Sequence, residues 1–466
     1  MTSNSSMSID KADKYIRLST KNYRFHPSII NGIQRIMLNY MSSYTFDMFL
    51  DPNDFTFLSE TLNIPRLNPK HQRYTTLSCN TQFPIPMISL HISRQAISSE
   101  AIIEDIDIIE NTNVRKVYFA ICAPKEDESD PIKRISKPLV NNNATPLILY
   151  AHNLTPFVFT RKSVTDPWGF DETESYKVQK NLEKVFVYNG KVALIENGKN
   201  LNVILKAEKV MGKTDPAGSP CRSSYRWVMN PEFKEKYPVV DKDFVLRRKI
   251  EGEPGAKDMF LMVPISGDLA STTASYSSGE LHMAYQNKFG KPYGTDLLMA
   301  YNGKQNPASV MRESIKKFIE NLRLMDIECN KESEVIHKMY LDNSVTLTIP
   351  LNVDMDLTKY QNGKYEVLMD DSILHSVSVK VLELLDNIIG DDISIWENIS
   401  VYYKVPHRLI AQSILCVKLP EESEDFIEKI SKTYKLTDKS KNVSLLIIRH
   451  AINSVISDLE SIESLI

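Results

Sequence analysis

Phe25–Met41 reads FHPSIINGIQRIMLNYM, and the two ends of the chain are best read outward from it. Pro27 has a fixed φ and no amide hydrogen, which suits the first turn of a helix. Ile29, Ile33, Ile36, Met37 and Tyr40 follow at helical spacing and make one apolar face. The pattern predicts a helix over 27–41 that must bury one side. Three later stretches share this character. Over 307–326, Met311, Ile315, Phe318, Ile319 and Leu322 form a face, with Glu313 and Lys317 at i and i+4 on the wet side. A break is expected at 326–334. Residues 373–389 give a third helix, with Asp371 placed to cap it. Residues 440–466 give a fourth, striped by Val443, Ile447, Ala451, Val455, Leu459, Ile462 and Ile466.

Between these helices the pattern changes to short strands. Residues 1–14 show no periodicity and are expected to be a disordered tail, with a strand at 15–18. TFDMFL, YTTLSC, PMISLHI and KVYFAICA follow within 45–130, and an apolar strand spans 147–150. KVFVYNGKVALI and LNVILKAEKV read as strands with turns at Asn189–Gly190 and Asn197–Gly198. KEDESDP at 125–131 and NNNATP at 141–146 are solvated loops, and 160–176 is a polar excursion. Residues 231–295 form an irregular connection around a strand, DMFLMVPI. SVTLTIPLNV, ISVYYKVP and SILCVKL are strands of the last third. The order is α+β: two strand-and-helix units flanking a strand-rich insert.

Composition narrows the function. The chain has 466 residues, with 56 Lys and Arg against 59 Asp and Glu, a net charge of −3. That balance excludes a strongly basic nucleic-acid coat, whose affinity rests on neutralising phosphates. Five cysteines, Cys79, Cys122, Cys221, Cys329 and Cys416, include no CxxC pair, which argues against a thiolate zinc or iron–sulfur site. They read as reduced thiols. The N-terminal residues lack the apolar run of a signal peptide, and no stretch has the apolar length of a membrane span.

Catalytic motifs fail when tested against their chemistry. MGKT at 211–214 lacks the earlier glycine of a phosphate loop, since Ala207 stands there, and Pro216, Gly218 and Pro220 block the helix such a loop requires. The nine histidines include no HExxH and no pair at metal-ligand spacing. His407, beside Pro406, reads as a turn or interface histidine rather than a base. Asp105 with Asp107, and Asp370 with Asp371, could hold Mg²⁺ in principle, but such pairs are common at strand ends and helix caps. No nucleophile elbow is present.

Three segments, in order, carry a resemblance. Asn31-Gly32-Ile33-Gln34-Arg35-Ile36 is similar to an Asn-Ala-Leu-Arg-Arg-Ile helix, with Asn31 and Arg35 matching. The stretch GKNLNVILKAEKVMGKTDPAGSP resembles a strand and loop in which Lys209, Gly212, Lys213 and Pro220 match, while Asp215, Ala217 and Gly218 depart. Tyr403-Lys404-Val405-Pro406-His407-Arg408-Leu409 resembles Tyr-Lys-Val-Pro-His-Pro-Leu, with Arg408 replacing the second proline; upstream, Asp371 and Leu374 also match. These are segments of the α-like assembly subunits of multisubunit DNA-directed RNA polymerases: bacterial α, archaeal D and L, and the eukaryotic third and eleventh subunits.

The resemblance implies a fusion of a third-subunit-like half to an eleventh-subunit-like half, similar to fusions in large cytoplasmic DNA viruses. It implies an intramolecular pseudo-dimer. The first dimerisation unit would comprise 15–55 and 296–330, the insert domain 56–230, the connection 231–295 and the second dimerisation unit 335–466. It implies a non-catalytic scaffold that docks the second-largest subunit, the largest subunit and small assembly subunits, with no membrane association and little direct DNA contact. Arg35 would donate from its guanidinium fork to a partner carboxylate or carbonyl. Asn31 would assist, with Lys209, Lys213 and His407 as further interface residues. No cofactor or zinc is expected in this chain, and Mg²⁺ would belong to the largest subunit. The expected location is the virion and host cytoplasm. The rival reading is a virion structural protein, or an α+β enzyme with an unrecognised site.

Overall fold

The computed structural model describes residues 7–47, 52–62, 76–79, 81, 87–88, 91–92, 94–98, 115–161, 167–213, 215–228, 230–231, 244–248, 259–264, 275–277, 291–330, 344–350, 354–356, 364–366, 371–390, 397, 399–404, 412–418, 432 and 443–466. The protein is a mixed α+β molecule. Its chain divides into two compact units, one of 1–36, 223–299 and 311–466, the other of 37–222 and 300–310.

Along the chain, β1 (Met7–Ala12) and β2 (Tyr15–Thr20) form an antiparallel pair in which Met7 faces Thr20 and Ala12 faces Tyr15. Residues 7–12 are therefore a strand, correcting the expected disorder of the whole 1–14 segment. Met7 and Ile9 alternate with more exposed neighbours, a weak period of two that a mostly polar composition conceals. In β2 the alternation is clear: Ile16, Leu18 and Thr20 are buried and Tyr15, Arg17 and Ser19 are less so. Helix α1 (Pro27–Arg35) starts at Pro27 and buries Ile29, Ile30 and Ile33. It passes into a single π turn at Ile36–Tyr40 instead of continuing as α-helix to residue 41.

The second unit is built on a seven-stranded sheet. Its strands are β3 (Ser42–Asp47), β4 (Thr76–Cys79), β5 (Arg115–Ile121), β6 (Leu139–Val140), β8 (Thr155–Thr160), β9 (Gly169–Phe170) and β11 (Asn200–Met211). The twelve-residue β11 is the spine, pairing antiparallel with β3, β4, β5 and β6. β7 (Leu147–Tyr150) and β10 (Lys191–Ile195) make a separate two-stranded ribbon. Helices α2 (Pro52–Leu62), α3 (Pro131–Ser136), α4 (Glu172–Lys180) and α5 (Leu182–Val185) complete the unit.

Leu201 to Leu205 are all buried because the sheet is covered on both faces. Leu201, Val203 and Leu205 join Val117, Phe119, Val158 and Phe186 on one face. Ile204 joins Phe57, Leu58, Tyr118 and Phe159 on the other. Two expected strands are different here. Residues 87–88 and 91–92 of PMISLHI are helical, and Lys184–Val185 of KVFVYNGKVALI ends α5, so its strand begins only at Lys191. The polar 160–176 stretch also contributes β9 and the start of α4, which Asp171 caps through the Glu174 amide.

The first unit resumes in β12 (Cys221–Val228). The irregular connection contains a three-stranded antiparallel sheet, β13 (Phe244–Arg248), β14 (Met259–Pro264) and β15 (Ser275–Ser277). β16 (Gly294–Tyr301) completes a sheet in the order β1–β2–β16–β12. Helix α6 (Pro307–Asn330) runs through the expected break at 326–330. Beyond it come β17 (Ser344–Pro350), the small pair β18 (Asp354–Asp356) and β19 (Lys364–Glu366), helix α7 (Asp371–Ile389), β20 (Ser400–Lys404), β21 (Gln412–Lys418) and helix α8 (Val443–Glu463). Asp371 is thus the first residue of α7 rather than a residue ahead of it. β17, β21 and β20 form an antiparallel sheet.

The unit boundaries fall at Ile36 and Arg222, and β3 lies in the second unit, where it pairs with β11. Segments from both ends of the chain share the first unit. There α7 packs on α1 and α8, and ion pairs join α6 to α8: Arg449 to Asp326 at 2.9 Å, Arg323 to Glu460 at 3.2 Å and Lys316 to Glu463 at 3.8 Å. The pairs run in opposite sequence directions, so α6 and α8 are antiparallel.

Candidate functional site

The apolar face of α1 fixes where its polar residues go. Ile29, Ile30 and Ile33 are buried, and Gly32 lies against Phe318 of α6. A Cβ at residue 32 would sit 2.5 Å from the Phe318 ring, so glycine here is a requirement of close helix packing. Asn31, Gln34 and Arg35 are half-buried. Gln34 Nε2 donates to Ser223 Oγ of β12 at 2.9 Å, tying the helix to the sheet. Asn31 and Arg35 each already engage a neighbour.

Lys209 and Lys213 lie in the second unit and are exposed, Lys209 on β11 opposite Tyr44 of β3 and Lys213 just beyond β11. The Lys213 ammonium lies 5.5 Å from the Tyr40 ring centroid. Gly212 between them has a packing role: a Cβ there would collide with the Leu38 carbonyl oxygen. The following amide, Lys213 N–H, donates to the Asn39 carbonyl at 2.8 Å. Asp215 then caps the short 3-10 turn Pro216–Gly218 by accepting from the Ala217 amide at 2.8 Å. Met211 thus ends β11, and Gly212 and Lys213 follow in a turn docked on the chain after α1. His407, Arg408, Asp105, Asp107 and Asp370 lie outside the described residues.

Two buried polar clusters were not anticipated by the sequence reading. In the first unit, His26 precedes α1 and caps it: the Ser28 amide donates to His26 Nδ1 at 3.1 Å. The His26 ring meets His375 of α7 edge-on, with centroids 4.9 Å apart, and His375 lies 5.3 Å from Tyr403 of β20. Ser376 Oγ donates to Ser28 Oγ at 3.1 Å. Burial, then the His375 and Lys291 charges, push His26 down to about 3, and burial lowers His375 as well.

In the second unit, Asp54 of α2 is buried and accepts from Lys116 of β5 at 2.7 Å, from Tyr118 at 2.9 Å and from Lys206 of β11. Burial alone would raise this carboxyl; the two lysine hydrogen bonds outweigh it and hold it below the usual range. Burial and Asp54 push the Tyr118 hydroxyl up. Lys116 also lies 4.8 Å from the Phe57 ring centroid. The nearest sequence signal was Pro52-Asn53-Asp54, a helix start with its acid in the first turn.

Both clusters hydrogen-bond a helix to other elements of its own unit. Burial pushes the Cys122 thiol up to about 11 and Cys221 to about 12, which leaves both as unreactive thiols at neutral pH. Lys304 is buried, bonded to the Ala217 carbonyl and 3.3 Å from Ser43 Oγ, and burial lowers it to about 8. Among the described residues there is no group of three or more His, Cys, Asp or Glu placed to share a metal ion, and no helix long and apolar enough to cross a membrane. No protein-family model and no curated protein matches the chain.

Proposed function

We propose that this chain is a non-catalytic assembly and scaffold subunit of a multisubunit DNA-directed RNA polymerase of a large DNA virus, with its two halves paired as an intramolecular pseudo-dimer. One observation carries the reading. α1 and α6 from the first half share a compact unit with α7 and α8 from the second. Three ion pairs between α6 and α8, and the packing of α7 on α1, are what a subunit pair joined in one chain requires. Fusion removes the association entropy that two separate chains would lose. The segmental likeness around Asn31–Ile36, 198–220 and 403–409 supplies the family.

In this reading the strand-rich second unit is the insert domain. Asn31 and Arg35 on α1 contact the second-largest subunit, and Lys209, Lys213 and His407 contribute to neighbouring interfaces. Catalysis and its Mg²⁺ belong to the largest subunit. The test is purification of the tagged chain from its native cells, with mass spectrometry and a promoter-independent transcription assay. Co-purification of two large subunits with RNA-synthesis activity supports the proposal, and Arg35→Ala then lowers their recovery at low subunit concentration. A monomer or homo-oligomer in gentle salt overturns it.

A further inference from the structure

The contact between α1 and α7 is made by a hydrogen-bond chain whose direction is fixed. An amide N–H can only donate, so the Ser28 amide holds His26 Nδ1 unprotonated and places the ring proton on Nε2. Ser376 Oγ donates to Ser28 Oγ at 3.1 Å, which leaves the Ser28 hydroxyl to donate onward to Nδ1 at 2.8 Å. The chain runs from α7 to α1 and ends on one nitrogen lone pair. His26 is 9% exposed, and Ser28 and Ser376 are buried with it.

We propose that this contact is an acid-sensitive latch: protonation of His26 at Nδ1 removes the cap of α1, reverses the serine chain and releases α1 from α7. The protonated nitrogen would be a donor aimed at two donors. The first-turn amide of α1 would lose its partner. A cation would also sit at the positive end of the helix dipole.

The surroundings offer the cation no relief among the described residues. Facing His26 from α7 is His375, backed by Tyr403 of β20. Lys291, ahead of β16, adds positive charge and is itself paired with Glu383 of α7 at 2.6 Å. Lys380 of α7 is taken by Asp458 of α8 at 3.0 Å. Arg24, just before the cap, lies over the Phe25 ring, and Arg35 is at the far end of α1. The unfolded chain takes up the His26 proton near pH 6.5 and the folded one resists it. The contact is therefore at full strength above that pH and weakens as pH falls below it, by about tenfold per pH unit for one proton. The latch belongs to the chain's own helices and stands apart from what the chain docks.

The test is hydrogen exchange of the full chain, read by mass spectrometry and corrected for intrinsic rates, at about pH 7.5 and about pH 5.5. Peptides over 27–40 and 371–389 should lose about tenfold in protection at the lower pH, while β5 and β8 keep theirs. His26→Asn retains a capping acceptor without a titrating ring, and should hold protection at both pH values. His26→Ser serves the same purpose if the asparagine chain does not fold. Unchanged protection in the natural chain overturns the proposal. So does an equal loss across both units, or an equal acid loss in the folded variant.

Discussion

At the α1–α7 contact, two histidine rings and two serine hydroxyls are joined by uncharged groups. Beneath β5 and β11, Asp54 instead holds two lysines and a tyrosine hydroxyl. Both clusters tie a helix to distant sequence, and both need the deprotonated form of their central group, uncharged in the histidine and anionic in the carboxylate. The histidine contact needs a neutral ring and weakens once pH falls below about 6.5. The Asp54 cluster needs an ionised carboxylate held below its usual range, so its contribution is complete above about pH 4 and is lost as pH falls below that value. One molecule thus contains two polar ties with separate acid thresholds.

Breaking the Asp54 cluster should cost most. Asp54→Ala leaves Lys116, Lys206 and the Tyr118 hydroxyl without their common acceptor, and a loss of about 3–5 kcal/mol is expected in urea unfolding at neutral pH. Below about pH 4 the difference from the natural chain should shrink, because the natural carboxyl is then being protonated as well. Gly32→Val comes next. Its side chain would enter the fully buried Phe318 ring, and about 1–3 kcal/mol of strain should appear as a lower urea midpoint with α6 less protected. Ser376→Ala removes the donor that begins the relay across α7 and α1, for about 1 kcal/mol at neutral pH. Arg323→Ala breaks an exposed pair with Glu460 and should move stability by about 0–1 kcal/mol. If Arg323→Ala proves as damaging as Asp54→Ala, the contrast between buried and exposed ties is wrong.

The helices were legible because their apolar residues repeat at 3.6. Ile29 and Ile33, Ile315 and Leu322, and Ile447 to Leu459 all announce a buried face and are buried. The spine strand was legible as LNVILKAEKV, whose first half is apolar on both sides and is covered on both. The misses have particular causes. Met7 and Ile9 are too few to show a period until β2 pairs with them. Val185-Phe186-Val187 is β-branched and aromatic like a strand, yet Val185 closes the helical segment that Asn181 begins. The polar clusters were hidden for a different reason. His26 and His375, or Asp54 and Lys206, are brought together by tertiary packing, and nothing in their local sequence spacing marks the partner. Arg35 was singled out by the segmental resemblance, inside a helix expected to run to residue 41; that the α-helix ends at Arg35 itself was not legible.

The central claim is that the two halves of this chain hold each other as one body, and cutting between them tests it most directly. A specific protease site inserted within 331–343 would sever the chain after α6. Under native buffer at neutral pH the account predicts that the two fragments migrate as one species on gel filtration and separate only in denaturant. Fragments that part in native buffer would contradict it.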